Sequence, residues 1–60
     1  MKIRLDYPRG VGWQKWVELP AAPRVGDFVA HGESDDDEHV VRNVIWHTGD
    51  DPWVQVVLKP

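Results

Sequence analysis

Val25-Gly26-Asp27-Phe28-Val29 is the stretch on which the reading of this chain turns. A glycine followed by an aspartate is a turn signal with a mechanism. Glycine takes backbone conformations that a Cβ resists, and the aspartate side chain hydrogen-bonds the turn backbone. Phe28 and Val29 follow at once, an aromatic and a β-branched residue that suit a pleated, half-buried surface. The segment therefore predicts a tight entry into a third strand. Just before it, Pro20 and Pro23 bracket Ala21-Ala22, a short connection in which neither helix nor central strand is comfortable.

Towards the N-terminus, Ile3, Leu5 and Tyr7 alternate with Lys2, Arg4 and Asp6, the period of a half-buried strand. Pro8, Gly10 and Gly12 end it, and Trp13 to Leu19 reads as a second strand with Lys15 and Glu18 exposed. Towards the C-terminus, His31 to His39 is a polar loop holding the acids Asp35 to Glu38. Val40 to Trp46 and Trp53 to Leu58 are the fourth and fifth strands. The turn-forming His47-Thr48-Gly49-Asp50-Asp51-Pro52 joins them as a hairpin. Val54, Val56 and Leu58 give the last strand an inward face. Val44 and Trp46 share a face with Val41 out of phase, and a β-bulge near Arg42-Asn43 restores all three to the interior. A domain this small can spare few large apolar groups from its core, so Trp13 and Trp46 are expected in it.

No stretch carries a helical period. Five short strands must each bury one face, and curling also hides the edges. The expectation is an all-β fold: a single SH3-like barrel of about five antiparallel strands over residues 1–60, with an open five-stranded meander as the fallback. Sixty residues allow one domain with a small core, and the chain has no cysteine to add a disulfide or thiolate metal site. No apolar stretch approaches a membrane span, so a soluble, cytoplasmic protein is expected. The net charge of −3 is uneven. Residues 1–24 hold five basic and two acidic side chains, and residues 25–60 hold two basic and eight acidic. That distribution argues against a uniformly basic nucleic-acid binder but leaves room for a smaller basic face.

From Pro23 to Leu58 the chain resembles short SH3-like barrel proteins of actinobacteria and their phages. The resemblance rests on the proline-flanked Val25-Gly26-Asp27-Phe28-Val29, on Val41, Val44 and Trp46, and on the closing Val54, Val56 and Leu58. The acidic loop Glu33 to Glu38 departs from the more usual short glycine turn. What the resemblance implies is a fold and a phage or actinobacterial source, with the host cytoplasm as the compartment of a phage protein. It brings no catalytic residues with it.

Four tryptophans are many for this length. Trp16 is three residues from Trp13, and Trp53 alternates against Val54, Val56 and Leu58, so both are expected outside the core. Exposed tryptophans are enriched at binding hot spots, although they also serve as cover for a barrel's ends and edges. The run Glu33, Asp35, Asp36, Asp37 and Glu38 is a solvated loop on the plain reading, and on the functional one it draws a partner with a basic surface. His31 and His39 bracket that loop, but the spacing matches no established calcium loop, and no metal or other cofactor is expected. Hydroxyls are confined to Tyr7, Ser34 and Thr48, no phosphate-cradling glycine loop appears, and the chain is expected not to be an enzyme. The leading expectation is a non-catalytic protein-interaction module, as in a phage accessory factor, with Trp16, Trp53 and the acidic loop as its contacts. One alternative is a nucleic-acid binder using Lys2, Arg4, Arg9, Lys15 and Arg24 beside Trp16. A self-assembling structural protein is the other.

Overall fold

Alternating apolar residues make the strands, and the direction each apolar face points decides how they assemble. A computed structural model describes residues 1–8, 12–30 and 38–60. Strand β1 is Lys2–Tyr7, β2 Trp13–Glu18, β3 Phe28–Ala30, β4 Glu38–His47 and β5 Trp53–Leu58. There is no helix among the described residues. The strands form one sheet in the order β2-β1-β5-β4-β3, curled into a half-barrel. The all-β, five-stranded reading is what the chain adopts.

Three pairings are antiparallel: β1 with β2, β3 with β4, and β4 with β5. The fourth is parallel, with Ile3 of β1 beside Val54 of β5 and Leu5 beside Val56. Period-two alternation fixes which side chains share a face but not which way a neighbour runs, so this pairing was not readable from the strands. It obliges the chain to cross from one edge of the sheet to the other between β2 and β3. Five strands at about 4.8 Å spacing span roughly 19 Å, and residues 19–27 in extended form reach about 30 Å. The prolines keep this strap out of helix and central strand. Its start is tied down by the Leu19 N–H donating to the Met1 carbonyl at 3.0 Å. Its end is tied to β4, where the Gly26 N–H donates to the Val41 carbonyl at 3.0 Å and the Val41 N–H to the Asp27 carbonyl at 2.9 Å. Leu19 and Ala22 within it pack on the core, so the strap covers the concave side of the sheet.

The turn into β3 works as its residues predict. Gly26 has φ of 94°, and the Asp27 N–H closes the turn on the Arg24 carbonyl at 2.9 Å. The Asp27 carboxylate accepts from the Arg24 N–H at 2.8 Å. A positive φ at the third residue fits a type II turn.

Ile3, Leu5, Val41, Val54, Val56 and Leu58 form the buried core, all on the inner face. Between Val41 and Asn43 the register slips by one residue against Leu58 and Val57, so Arg42 is the extra residue of a bulge. The bulge lies where the out-of-phase Val41 requires it, and it brings Val41 and Val44 to the same side. Trp46 does not follow them into the core. It faces Val54 one rung from the end of the hairpin and is 58% exposed, because the inner face runs out there. Trp13 does pack on the core, stacked on Tyr7 at 5.5 Å. The expected polar loop also ends early: Glu38 pairs with Ala30 and His39 with Val29, extending the β3–β4 ladder. Backbone pairing makes no demand on side-chain polarity, so two polar residues join the strand.

Candidate functional site

Directly paired residues share a face of the sheet, which places the polar half of each alternation on the convex side. Trp16 of β2 stands opposite Arg4 of β1, Arg4 is beside Gln55 of β5, and His47 of β4 stands opposite Trp53 of β5. Four strands thus contribute to one surface. The Trp16 and Trp53 rings meet at 5.1 Å with a 60° tilt. His47 lies flat on Trp53 at 3.9 Å and 5°. From the strand on the other side of β5, the Arg4 guanidinium carbon comes to 4.7 Å from the Trp53 ring centre and 5.8 Å from that of Trp16. The Lys2 ammonium sits 5.2 Å from Trp16. These are stacking and cation–π distances.

Hydrogen bonds fix the layer from within the strands. Arg4 Nε and Nη2 donate to the two oxygens of Asp6 at 2.8 and 3.1 Å. Gln55 Nε2 donates to Asp6 Oδ2 at 2.8 Å. With the amide nitrogen so engaged, Gln55 Oε1 is left facing His47 Nε2 at 3.0 Å, so His47 donates and carries a proton on Nε2. The chain Arg4–Asp6–Gln55–His47 crosses three strands and is only part-exposed, so its bonds are less diluted by water than those at a fully open surface. The charges on this face nearly cancel: Asp6 answers Arg4, and Asp51 accepts from Lys2 Nζ at 3.1 Å. The latter pair is exposed and contributes little to stability. What is left is an aromatic, nearly neutral surface.

The chain matches no protein-family model, no curated protein and no solved structure.

Of the residues expected to bind, Trp16 and Trp53 are brought into contact, Trp16 half exposed and Trp53 partly covered by its neighbours. Lys2 and Arg4 lie beside Trp16, where the nucleic-acid alternative needs them. Lys15 does not: it stands opposite Leu5 and shares the face of the core. Arg24 belongs to the turn before β3, at the other edge of the sheet from β2. Arg9, Glu33, Asp35, Asp36 and Asp37, like His31, lie outside the described residues, and Glu38 opens β4. Among the described residues no group of three or more His, Asp or Glu side chains is placed to hold a metal ion. His47, Gln55 and Asp6 are members of the face that the sequence reading passed over. For His47 there was a signal, because a hairpin closed over residues 48–52 sets it opposite Trp53.

Proposed function

We propose that the chain is a non-catalytic protein-interaction module whose contact surface is the convex face around Trp16 and Trp53. The observation that carries this reading is Trp16. A small domain, with six buried core residues among those described, leaves a tryptophan 50% exposed on the side away from that core, held over Lys2 and Arg4 by ring contacts. A preorganised, half-exposed indole loses little entropy on docking, and tryptophan and arginine are the residue types that dominate binding hot spots. The acidic run from Glu33 to Glu38 would add attraction to a partner with a basic surface. The likeness to short actinobacterial and phage barrels makes a phage accessory factor, working in a host cytoplasm, the biological setting of this proposal.

Lys2 and Arg4 beside an exposed tryptophan are also what a single-strand binder presents, and that observation keeps nucleic acid as the second reading. It is the weaker one because Asp6 and Asp51 take up both cations. Self-assembly through the sheet edges is opposed by β3 having three residues and by the charge of Lys15 on the core-side face of β2, two devices that blunt edges.

The test is capture from nuclease-treated actinobacterial lysate by the tagged chain, with Trp16→Ala and Phe28→Ala in parallel. Phe28 is 68% exposed but lies on β3, at the far edge. The expected result is one enriched protein, lost with Trp16→Ala and kept with Phe28→Ala. Capture of nucleic acid alone, seen only without nuclease, would replace this reading with the second one.

A further inference from the structure

Only the first part of β4 is covered by β3. Phe28 to Ala30 pair with Val40 to Glu38, and the turn before β3 closes on Val41. From Arg42 to His47, β4 has β5 on one side and, among the described residues, no strand on the other. Val41 turns its backbone away from β5: its N–H donates to the Asp27 carbonyl and its carbonyl accepts from the Gly26 N–H. Val44 and Trp46 stand opposite the core residues Val56 and Val54, so they share the face of Val41. Residues on one face of a strand turn their backbone groups to one side. Val44 and Trp46 thus offer their N–H and C=O groups at an open edge, and no backbone bond reaches them there among the described residues. Ile45 lies between them, exposed on the convex face, and Trp46 is exposed on the other.

From this arrangement we infer that the open half of β4 pairs antiparallel with the same segment of a second copy of this chain, about a two-fold axis at Ile45. An unpaired row of backbone donors and acceptors is matched by another extended backbone. The side chains favour a second copy, because the segment is complementary to itself. With Ile45 opposite Ile45, Val44 of each copy stands opposite Trp46 of the other, and these residues exchange their backbone hydrogen bonds. An isoleucine pair then closes the convex face and β-branched–aromatic pairs the concave one, both favoured cross-strand contacts. The same register sets Asn43 against His47, so no like charges meet. The devices that oppose edge pairing sit on β2 and β3 and do not reach this segment. They leave the paired molecule with blunted outer edges, so association stops at two. The dimer goes beyond the interaction reading above and does not depend on it.

Sedimentation equilibrium of the full chain, from micromolar to millimolar, is the test. The mean mass should climb to twice that of one chain and level there. Ile45→Lys and Ile45→Glu each set like charges face to face across the axis, and each should weaken dimerisation by about tenfold or more. An equimolar mixture of the two variants should regain the dimer, because opposite charges then meet. Ile45 is exposed, so both variants should keep the fold, as circular dichroism would verify. Trp16→Ala, on the far edge strand, should leave the mass unchanged. A mass that stays at one chain, growth beyond two, indifference to the Ile45 variants, or a mixture that stays monomeric would each overturn the pairing. Loss of the dimer with Trp16→Ala would overturn it too, by moving the contact to the convex tryptophan layer.

Discussion

Gly26 and Gly49 look alike in the sequence and differ in the structure. Gly26 holds φ of 94° with open space around it, so an added methyl meets no atom but forces an L-residue into a left-handed conformation. Gly26→Ala should therefore cost about 1 kcal/mol, read from the urea midpoint. Gly49 has no such constraint, and a methyl group added there would have nothing within 4 Å, so Gly49→Ala should be neutral or slightly stabilising in the same assay. Equal losses at both would mean the backbone argument is wrong. Asp6 is the other decisive single residue, accepting three hydrogen bonds from Arg4 and Gln55. Asp6→Ala leaves those donors part-buried and unanswered, at a cost of about 1–3 kcal/mol. In the Gln55→Ala background the loss should be smaller, and a double-mutant cycle with no coupling would show that the layer is not one network.

Among the elements, β2 carries the clearest risk. It is an edge of six residues with tryptophans at its first and fourth positions, and only one neighbour satisfies its backbone. Lys15, exposed on the core-side face of this edge, is the charge that discourages a second chain from adding there. Replacing it in Lys15→Val should shift sedimentation towards larger species as concentration rises, and unchanged sedimentation would remove that role. The bulge at Arg42 shows how much one strand discloses by itself. Val41, Val44 and Trp46 cannot share a face without an extra residue, so the irregularity was legible as a phase error. Its consequence for Trp46 was not, since phase says which side a residue takes and not whether anything lies over it.

Across the whole molecule, the buried core and the proposed contact face lie on opposite sides of one curled sheet. The concave side holds the six core residues under the strap, and the convex side holds the tryptophan–arginine layer. Truncating a core residue should therefore be costly: Ile3→Ala should lose about 2–5 kcal/mol, a large share of what a domain this small possesses. Trp16→Ala removes a larger side chain from the surface and should lose only about 1–2 kcal/mol. Thermal unfolding followed by circular dichroism compares the two. A larger loss at Trp16 would make the convex layer part of the folding core and weaken its assignment as a binding face. The exposed surface of 4246 Å² is close to the roughly 4,000 Å² expected for a compact chain of this size, so the half-barrel needs no second layer to be compact.

Local chemistry by itself determined the strands, the Gly26–Asp27 turn, the hairpin over residues 48–52, the bulge, and the outward placement of Trp16 and Trp53. Each of these depends on alternation, turn residues or phase, which act over a few neighbouring positions. Only the tertiary structure decided that β1 runs parallel to β5, because side-chain period carries no strand direction. That pairing turns the Pro20–Pro23 segment into a strap across the core rather than a simple connection. It also sets Arg4 next to Trp53, residues 49 positions apart in the chain, and sends Lys15 away from the basic residues it was grouped with. The tryptophan–arginine face is a property of strand order, and strand order is settled by which assembly buries Ile3, Leu5, Val41, Val54, Val56 and Leu58 together.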